Sequence, residues 1–282
     1  MARTDRDAGP AAPLPVAVAA IVDRLSPRPE VTSIAVGGSR AAGRIYARSD
    51  CDVYVFADGE VPAATRRELA LEFDANPEIG NPWFGDEDAW ADRTSGITID
   101  LVFFGREWFE HQLRDVIERH RPALGYTTAF WHTARHAEPL LDRAGWLASM
   151  QDLAATPYPE PLRRVIVALN HPLLRTARAS YRNQLALAVQ RGDLVSVQHR
   201  VTALLASVFD ILFATWRALH PGEKRLLDRL AERGEGAGRA FDAPIRDLLA
   251  ARGDPTSDGV IPAVDNLCDM VDRLLRAENL LP

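Results

Sequence analysis

The residues best suited to chemistry lie in two short stretches between positions 36 and 56. Gly37 and Gly38 close an apolar run, and glycines there let backbone N–H groups approach a phosphate closely. Asp50 and Asp52 follow about ten residues later, at the start of a second apolar run. Because strand residues alternate faces and rise about 3.3 Å each, the two carboxylates should point the same way, roughly 7 Å apart. Carboxylates and substrate phosphates together bind Mg²⁺, so the pattern predicts nucleotide chemistry.

Asp100 is a third acid of this kind, because it interrupts the apolar run 97–104. Each part has a simpler structural interpretation on its own: the glycines could only end a strand, and Asp50 could only begin one. Asp52 and Asp100 are harder to explain in that way, since charged groups rarely lie among apolar residues without a metal ion or a partner. We therefore favour a functional site over three unrelated structural features.

Taken together, these residues resemble the signature of the nucleotidyltransferase superfamily with a DNA polymerase beta-like palm, in its minimal form. That signature consists of Gly-Ser, a spacer of about ten residues, Asp-x-Asp, and a third carboxylate on a later strand. The matching residues here are Gly38, Ser39, Asp50, Asp52 and Asp100. The motif covers only residues 38–100 of the chain, but its parts have the order and spacing that the family requires.

The resemblance implies transfer of a nucleoside monophosphate from an NTP, expected to be ATP, onto a hydroxyl, with release of pyrophosphate. It implies that Asp50, Asp52 and Asp100 are catalytic and hold Mg²⁺, expected as two ions that clamp the attacking and leaving oxygens. Backbone N–H groups at a helix start would hold the phosphates. The expected nucleotide contacts are Gly38, Ser39, Arg40, Ser49 and Lys224.

The general base is left open by the sequence. Asp100 could accept the proton of the acceptor hydroxyl as well as bind metal. Some drug-modifying relatives use a separate glutamate instead. Glu87 and Glu110 are candidates for that role only because they lie near Asp100 in the sequence.

Alternating strands and helices should position these residues. The apolar and β-branched runs 31–37, 51–56 and 97–104 predict strands, and 15–25, 64–76 and 106–119 predict helices. Residues 77–96 predict an irregular loop or a weak hairpin, because they are rich in Gly, Pro, Asp and Trp. The second half predicts helix throughout, at 160–174, 176–191, 194–220, 223–233, 242–251 and 260–277.

This order predicts an α+β fold, in which a palm with a small mixed sheet and helices precedes an all-α helical bundle. The expected limits are a flexible tail at 1–14, the palm at 15–150 and the bundle at 151–282. The bundle resembles the carboxy-terminal domain of aminoglycoside and lincosamide nucleotidyltransferases. It is the less specific part of the resemblance.

Composition limits the setting in which the protein works. The chain has 282 residues, of which 47% are hydrophobic and 26% charged, as in soluble globular proteins. A net charge of −6 argues against a nucleic-acid substrate. Two cysteines, Cys51 and Cys268, suit a reducing cytoplasm. No stretch reaches the roughly 18 unbroken apolar residues of a membrane span. The oligomeric state is not indicated.

Lys224 stands out because it is the single lysine among 33 basic residues. It lies in the turn PGEK, which recurs in helical domains beside minimal nucleotidyltransferases, and a compact ammonium suits a phosphate contact. An ordinary surface lysine after a helix start is the alternative.

The acceptor is expected to be a small hydroxylated molecule. The resemblance to the drug-modifying enzymes implies an antibiotic that binds between palm and bundle. An acidic rim of Glu78, Asp86, Glu87, Asp88 and Asp92 would suit a cationic acceptor, or would simply be a solvated loop. The alternative function is a protein-modifying adenylyltransferase or an antitoxin-like partner of a toxin chain. A degenerate fold used only for binding is a third, and the three intact carboxylates count against it.

Overall fold

The computed structural model describes residues 14–38, 50–83, 85–252 and 259–281. It divides into two compact units, the first formed by Met1–Leu113 with Thr133–Ala155 and the second by Arg114–His132 with Thr156–Pro282. Two domains with limits at 150 and 151 stay a prediction, because a compact unit is not by itself an independently folding one.

A six-stranded mixed sheet forms the first unit. Its strands are β1 (Val31–Val36), β2 (Cys51–Ala57), β3 (Glu78–Asn81), β4 (Asp86–Asp92), β5 (Ile97–Gly105) and β6 (Glu138–Asp142). The spatial order is β3-β4-β5-β2-β1-β6, in which β2 and β5 are parallel and the other neighbours are antiparallel. The three predicted strands are confirmed, and the predicted weak hairpin is the β3–β4 pair.

Helices cover both sides of this sheet. Helices α1 (Val16–Leu25) and α2 (Ala63–Leu71) supply buried residues to a core that includes Val53, Val55 and Leu101 of the strands. On the other side, Phe56 of β2 packs against Phe109 of α3 (Arg106–Ile117), with ring centroids 4.9 Å apart. Helix α4 (Ala129–His136) follows α3 in the chain, and helix α5 (Trp146–Ala154) begins at a tryptophan whose ring lies 5.1 Å from that of Phe56.

Strand β6 was not predicted, because it carries Pro139 and lies at the edge of the sheet beside β1. Asp142 is the last residue of this strand. Its carboxylate accepts hydrogen bonds from the N–H groups of Leu147 and Ala148, at 2.8 and 2.9 Å, in the first turn of α5. It also accepts one from the hydroxyl of Ser33, which ties this helix start to β1.

Helices dominate the second unit. They are α6 (Glu160–Leu174), α7 (Tyr181–Gln190), α8 (Leu194–Thr215), α9 (Leu226–Ala231), α10 (Asp242–Ala251) and α11 (Val260–Ala277). Three match the predicted bounds, whereas α7, α8 and α9 are shorter than predicted. Helix α8 ends early because Arg217, just beyond it, has a left-handed φ of 50°. Together with the sheet unit, these helices confirm the predicted α+β fold class.

Helix α8 is the core of this unit. Among the described helices, α8 alone is long and apolar enough to cross a membrane. However, 61% of its most apolar window is buried within the protein. Val201, Leu204, Val208 and Leu212 on it belong to one buried cluster with residues of α6, α7, α10 and α11. Its apolar character is therefore explained by packing.

Candidate functional site

The parallel pairing of β2 with β5 brings two of the predicted acids together. Asp52 lies directly opposite Asp100 in the register of the two strands. Neighbouring strands are about 4.8 Å apart and opposite residues share a face, so both carboxylates point to the same side of the sheet. Cys51, Val53 and Leu101 point to the other side and are fully buried, whereas Asp52 and Asp100 are half-buried.

Asp50 is half-buried and lies one residue before β2 begins. In the ranges that the structure describes, no three His, Cys, Asp or Glu side chains form a group that could hold a metal ion. A three-carboxylate centre with Asp50 therefore stays a prediction. Asp52 and Asp100 alone fit the commoner way of binding Mg²⁺, in which one or two carboxylates act together with substrate phosphates.

The glycine pair lies against Asp52 and leaves no room for side chains. Gly37 donates its N–H to the carbonyl oxygen of Asp52 at 2.9 Å. Gly38 has a φ of +61°, and a Cβ there would lie 1.7 Å from Oδ2 of Asp52. The left-handed φ favours glycine at 38, and any other residue there would also displace the Asp52 carboxylate. Ser39, Arg40 and Ser49, the other predicted nucleotide contacts of this region, lie outside the described residues.

Tyr54 is a site residue that the sequence analysis missed. It follows Asp52 by two positions, so it points to the same side of β2, and its hydroxyl accepts a hydrogen bond from the N–H of Gly38. Burial raises the pKa of this hydroxyl well above its usual range, and the charges of Asp52 and Asp100 add to the rise. The phenol therefore stays protonated. Strand alternation was the signal that could have identified it.

Glu87 of β4 joins the same side of the sheet. In the antiparallel β4–β5 pair Ala89 lies opposite Asp100 and Glu87 opposite Val102, so Glu87 shares the side of Asp100. Burial raises the pKa of Glu87, and the charges of Asp52 and Glu78 raise it further. We call the side that carries Asp52, Tyr54, Glu87 and Asp100 the acid face.

Glu110, the other candidate base, has a different environment. Its carboxylate accepts a hydrogen bond of 3.4 Å from Nε1 of Trp146, the residue whose ring packs against Phe56. It therefore lies beside the aromatic packing under α3 and α5. Glu87 is the candidate that the strand register places on the side of Asp100, and the identity of the base stays a prediction.

The acidic rim predicted from the sequence is wrong in two of its five members. Asp88 and Asp92 are fully buried. Asp88 accepts hydrogen bonds from Arg66 at 2.9 Å and from the N–H of Gly80 at 2.8 Å. Asp92 accepts bonds from the Thr94 N–H and the Ser95 hydroxyl in the turn after β4. Because they are buried, Asp88 and Asp92 do not belong to the rim. Glu78, Asp86 and Glu87 remain accessible, and Asp86 also pairs with Arg66 at 3.1 Å.

Lys224 lies in the second unit, exposed in the turn that precedes α9. The structure shows a position on the surface that a ligand could reach. Its contact with nucleotide phosphates stays a prediction.

Comparisons with known proteins add little to this geometry. No protein-family model matches the chain. No curated protein matches it either. Among solved structures it is similar to a nucleotidyltransferase-like protein from Exiguobacterium sibiricum 255-15, at 12% identity and a TM-score of 0.45 over 94% of this chain and 75% of that chain. A likeness at this level carries no argument about function, which therefore has to be argued from the acid face.

Proposed function

We propose that the protein is a Mg²⁺-dependent nucleotidyltransferase that moves a nucleoside monophosphate, with ATP as the expected donor, onto a hydroxyl group. One observation carries the proposal: Asp52 and Asp100 lie opposite each other on parallel strands, and a left-handed glycine is packed against Asp52. Two adjacent carboxylates beside a turn with no side-chain bulk suit a metal-bound triphosphate.

In this proposal Asp52 and Asp100 would hold Mg²⁺, with Asp50 as the third acid, and up to two ions would be bound with the nucleotide. The ions would neutralise charge on the phosphates and on the leaving pyrophosphate. Gly38 would contribute the turn itself, because its N–H already binds Tyr54. Ser39, Arg40 and Ser49 would be the other nucleotide contacts, as the sequence resemblance implies.

Glu87 would act as the general base. The acceptor oxygen would form a bond to the α-phosphorus, the bond from that phosphorus to the β-phosphate oxygen would break, and pyrophosphate would leave. The proton of the acceptor hydroxyl would pass to the Glu87 carboxylate. A raised pKa makes this carboxylate a better base than an ordinary surface glutamate, at a pH where it is still ionised.

The proposed acceptor is a small hydroxylated molecule, including an antibiotic of the aminoglycoside or lincosamide type. This class is the one that the sequence resemblance implies for a palm followed by a helical bundle. The accessible acids Glu78, Asp86 and Glu87 would favour a cationic acceptor. We propose a cytoplasmic location, because Cys51 and Cys268 are buried thiols rather than halves of a disulfide, which suits a reducing compartment.

The test is to incubate the purified protein with Mg²⁺, each of the four NTPs, and a panel of hydroxylated antibiotics and sugars. We expect a mass increase of one nucleoside monophosphate on one acceptor, and release of pyrophosphate that Asp52→Asn and Asp100→Asn abolish. Labelling of a protein instead would support the alternative of a protein-modifying enzyme. Failure of every NTP to bind in the presence of Mg²⁺ would overturn the proposed function.

A further inference from the structure

Tyr54 connects Gly37 and Gly38, which we call the glycine turn, to the packed aromatic interior of the first unit. Its ring centroid lies 5.6 Å from that of Phe104, which in turn packs against Phe56 and Phe109 at 5.8 and 5.4 Å. Close-packed aromatic side chains have few alternative rotamers, so the ring is held from below.

The part of the ring nearest its hydroxyl packs against the glycine turn. A Cβ on Gly37 would lie 1.9 Å from Cε2 and 2.7 Å from the hydroxyl oxygen of Tyr54. The hydroxyl accepts the N–H of Gly38, the residue with a left-handed φ of +61°. The turn is therefore fixed by two contacts with one side chain, a steric one at Gly37 and a hydrogen bond at Gly38.

Asp52 is fixed by the same turn. Its backbone carbonyl accepts the N–H of Gly37, and its carboxylate lies where a side chain on Gly38 would be. A movement of the glycines would therefore also free the carboxylate to change position. Such preorganisation lowers the cost of ordering a site when a ligand binds.

We propose that Tyr54 is a positioning residue that locks the glycine turn against Asp52 and so sets the affinity for the triphosphate. The inference rests on the proposed function, because it assigns the turn to the phosphates of an NTP. Tyr54 takes no part in bond making or breaking. Its effect should be confined to the phosphate end of the nucleotide.

The experiment measures binding of Mg²⁺·ATP and of AMP by calorimetry to the full-length protein and to Tyr54→Phe, which keeps the ring and removes the hydroxyl. Loss of this hydrogen bond should weaken Mg²⁺·ATP binding about 3- to 10-fold. AMP binding should change less than about twofold, since the β- and γ-phosphates are missing. In turnover the KM for ATP should rise with the KM for the acceptor unchanged, a split that a general loss of structure would not produce.

Tyr158→Phe is the matched control, because this hydroxyl is also buried and, among the described residues, has no hydrogen-bond partner. It should leave both affinities unchanged. Gly37→Ala is the second variant, which keeps the hydroxyl but forces the ring to shift, and should weaken Mg²⁺·ATP at least as much. Binding of Mg²⁺·ATP by folded Tyr54→Phe and Gly37→Ala proteins at the wild-type affinity would overturn the inference and leave the proposed function standing. Absence of binding by the wild-type protein to any Mg²⁺·NTP would instead overturn the proposed function and this inference with it.

Discussion

Carboxylates on the two sides of the sheet differ in burial and in the charge of their neighbours, although they lie on the same strands. Asp88, on the side covered by α1 and α2, is fully buried and paired with the buried guanidinium of Arg66. On the acid face Asp52, Glu87 and Asp100 are half-buried, and Asp52 and Asp100 are like charges side by side. The protein supplies the cation that neutralises Asp88, whereas the role proposed for Asp52 and Asp100 is to bind a metal ion together with substrate phosphates.

The helical unit contains a carboxylate in a third kind of environment. Asp210 of α8 is fully buried and accepts hydrogen bonds from the N–H and the hydroxyl of Thr127, at 3.0 and 2.6 Å. These donors are neutral, so burial raises the pKa of Asp210 to about 7. The three environments differ in accessibility and in the charge of their neighbours, and these features, rather than the presence of an acid, distinguish the proposed site.

The largest expected effect is on the acid face. Asp52→Asn and Asp100→Asn should each lower kcat by about 10³-fold, the upper end of the loss when one electrostatic contact to a transition state is removed. The melting temperature should stay unchanged or rise, because a like charge is removed. The control is Asp23→Asn, which changes an exposed acid of α1 on the other side of the sheet. Activity of Asp52→Asn within tenfold of wild type would show that the acid face is not the catalytic site.

The buried pair on the other side should matter for stability. Arg66→Met leaves the Asp88 carboxylate buried and unpaired, and should lower the free energy of unfolding by about 3–5 kcal/mol in urea titration. The matched control is Arg24→Met, which breaks the exposed pair with Glu72 and should cost less than about 1 kcal/mol. Equal losses in the two variants would show that burial does not distinguish these pairs.

Glu87 tests which acid accepts the proton. Glu87→Gln should lower kcat by about 10²-fold with the KM for NTP unchanged, and Glu110→Gln should behave like wild type. Because a base must be ionised, kcat should fall as the pH drops through the raised pKa of Glu87. The glutamine variant should lack this decline. A larger effect of Glu110→Gln would identify Glu110, rather than Glu87, as the general base.

Asp210 and His220 should make opposite contributions to stability. The pKa of Asp210 rises from 3.8 to about 7 on folding, so the free energy of unfolding falls as the pH rises between these values. Burial lowers the pKa of His220 from 6.5 to about 4, so its contribution is lost as the pH falls through that range. Each contributes about 1.4 kcal/mol per pKa unit, and the two nearly cancel.

Single variants should reveal the two contributions. Urea titration of Asp210→Asn should show stability rising with pH, from the pKa of about 4 of His220 up to 6.5. For His220→Gln stability should fall as the pH rises towards the pKa of about 7 of Asp210. Parallel pH profiles for both variants would show that the two groups do not oppose each other.

The smallest expected effect concerns Lys224. Its substitution tests whether this residue of the second unit contributes to nucleotide binding. Lys224→Arg keeps the charge but replaces a compact ammonium by a planar fork, so the apparent KM for NTP should rise slightly. Lys224→Ala should raise it further. An unchanged NTP dependence of Lys224→Ala would make it an ordinary surface lysine.

Local pattern was sufficient for most of the elements and for the main acids. β-branched runs predicted β1, β2 and β5, and apolar periodicity predicted α6, α10 and α11 to the residue. Asp52 and Asp100 were identifiable because each is an isolated charge in an apolar run, and such charges are expensive wherever the strand is placed.

Tertiary structure decided which side chains meet. Glu87 and Asp88 are consecutive acids in one loop-like stretch of sequence, yet the register of β4 on β5 places the first on the acid face and buries the second against Arg66. The grouping of residues 114–132 with the second unit follows likewise from contacts such as Thr127 with Asp210, far apart in the chain. Registers and long-range contacts depend on partners distant in sequence, so no local pattern specifies them.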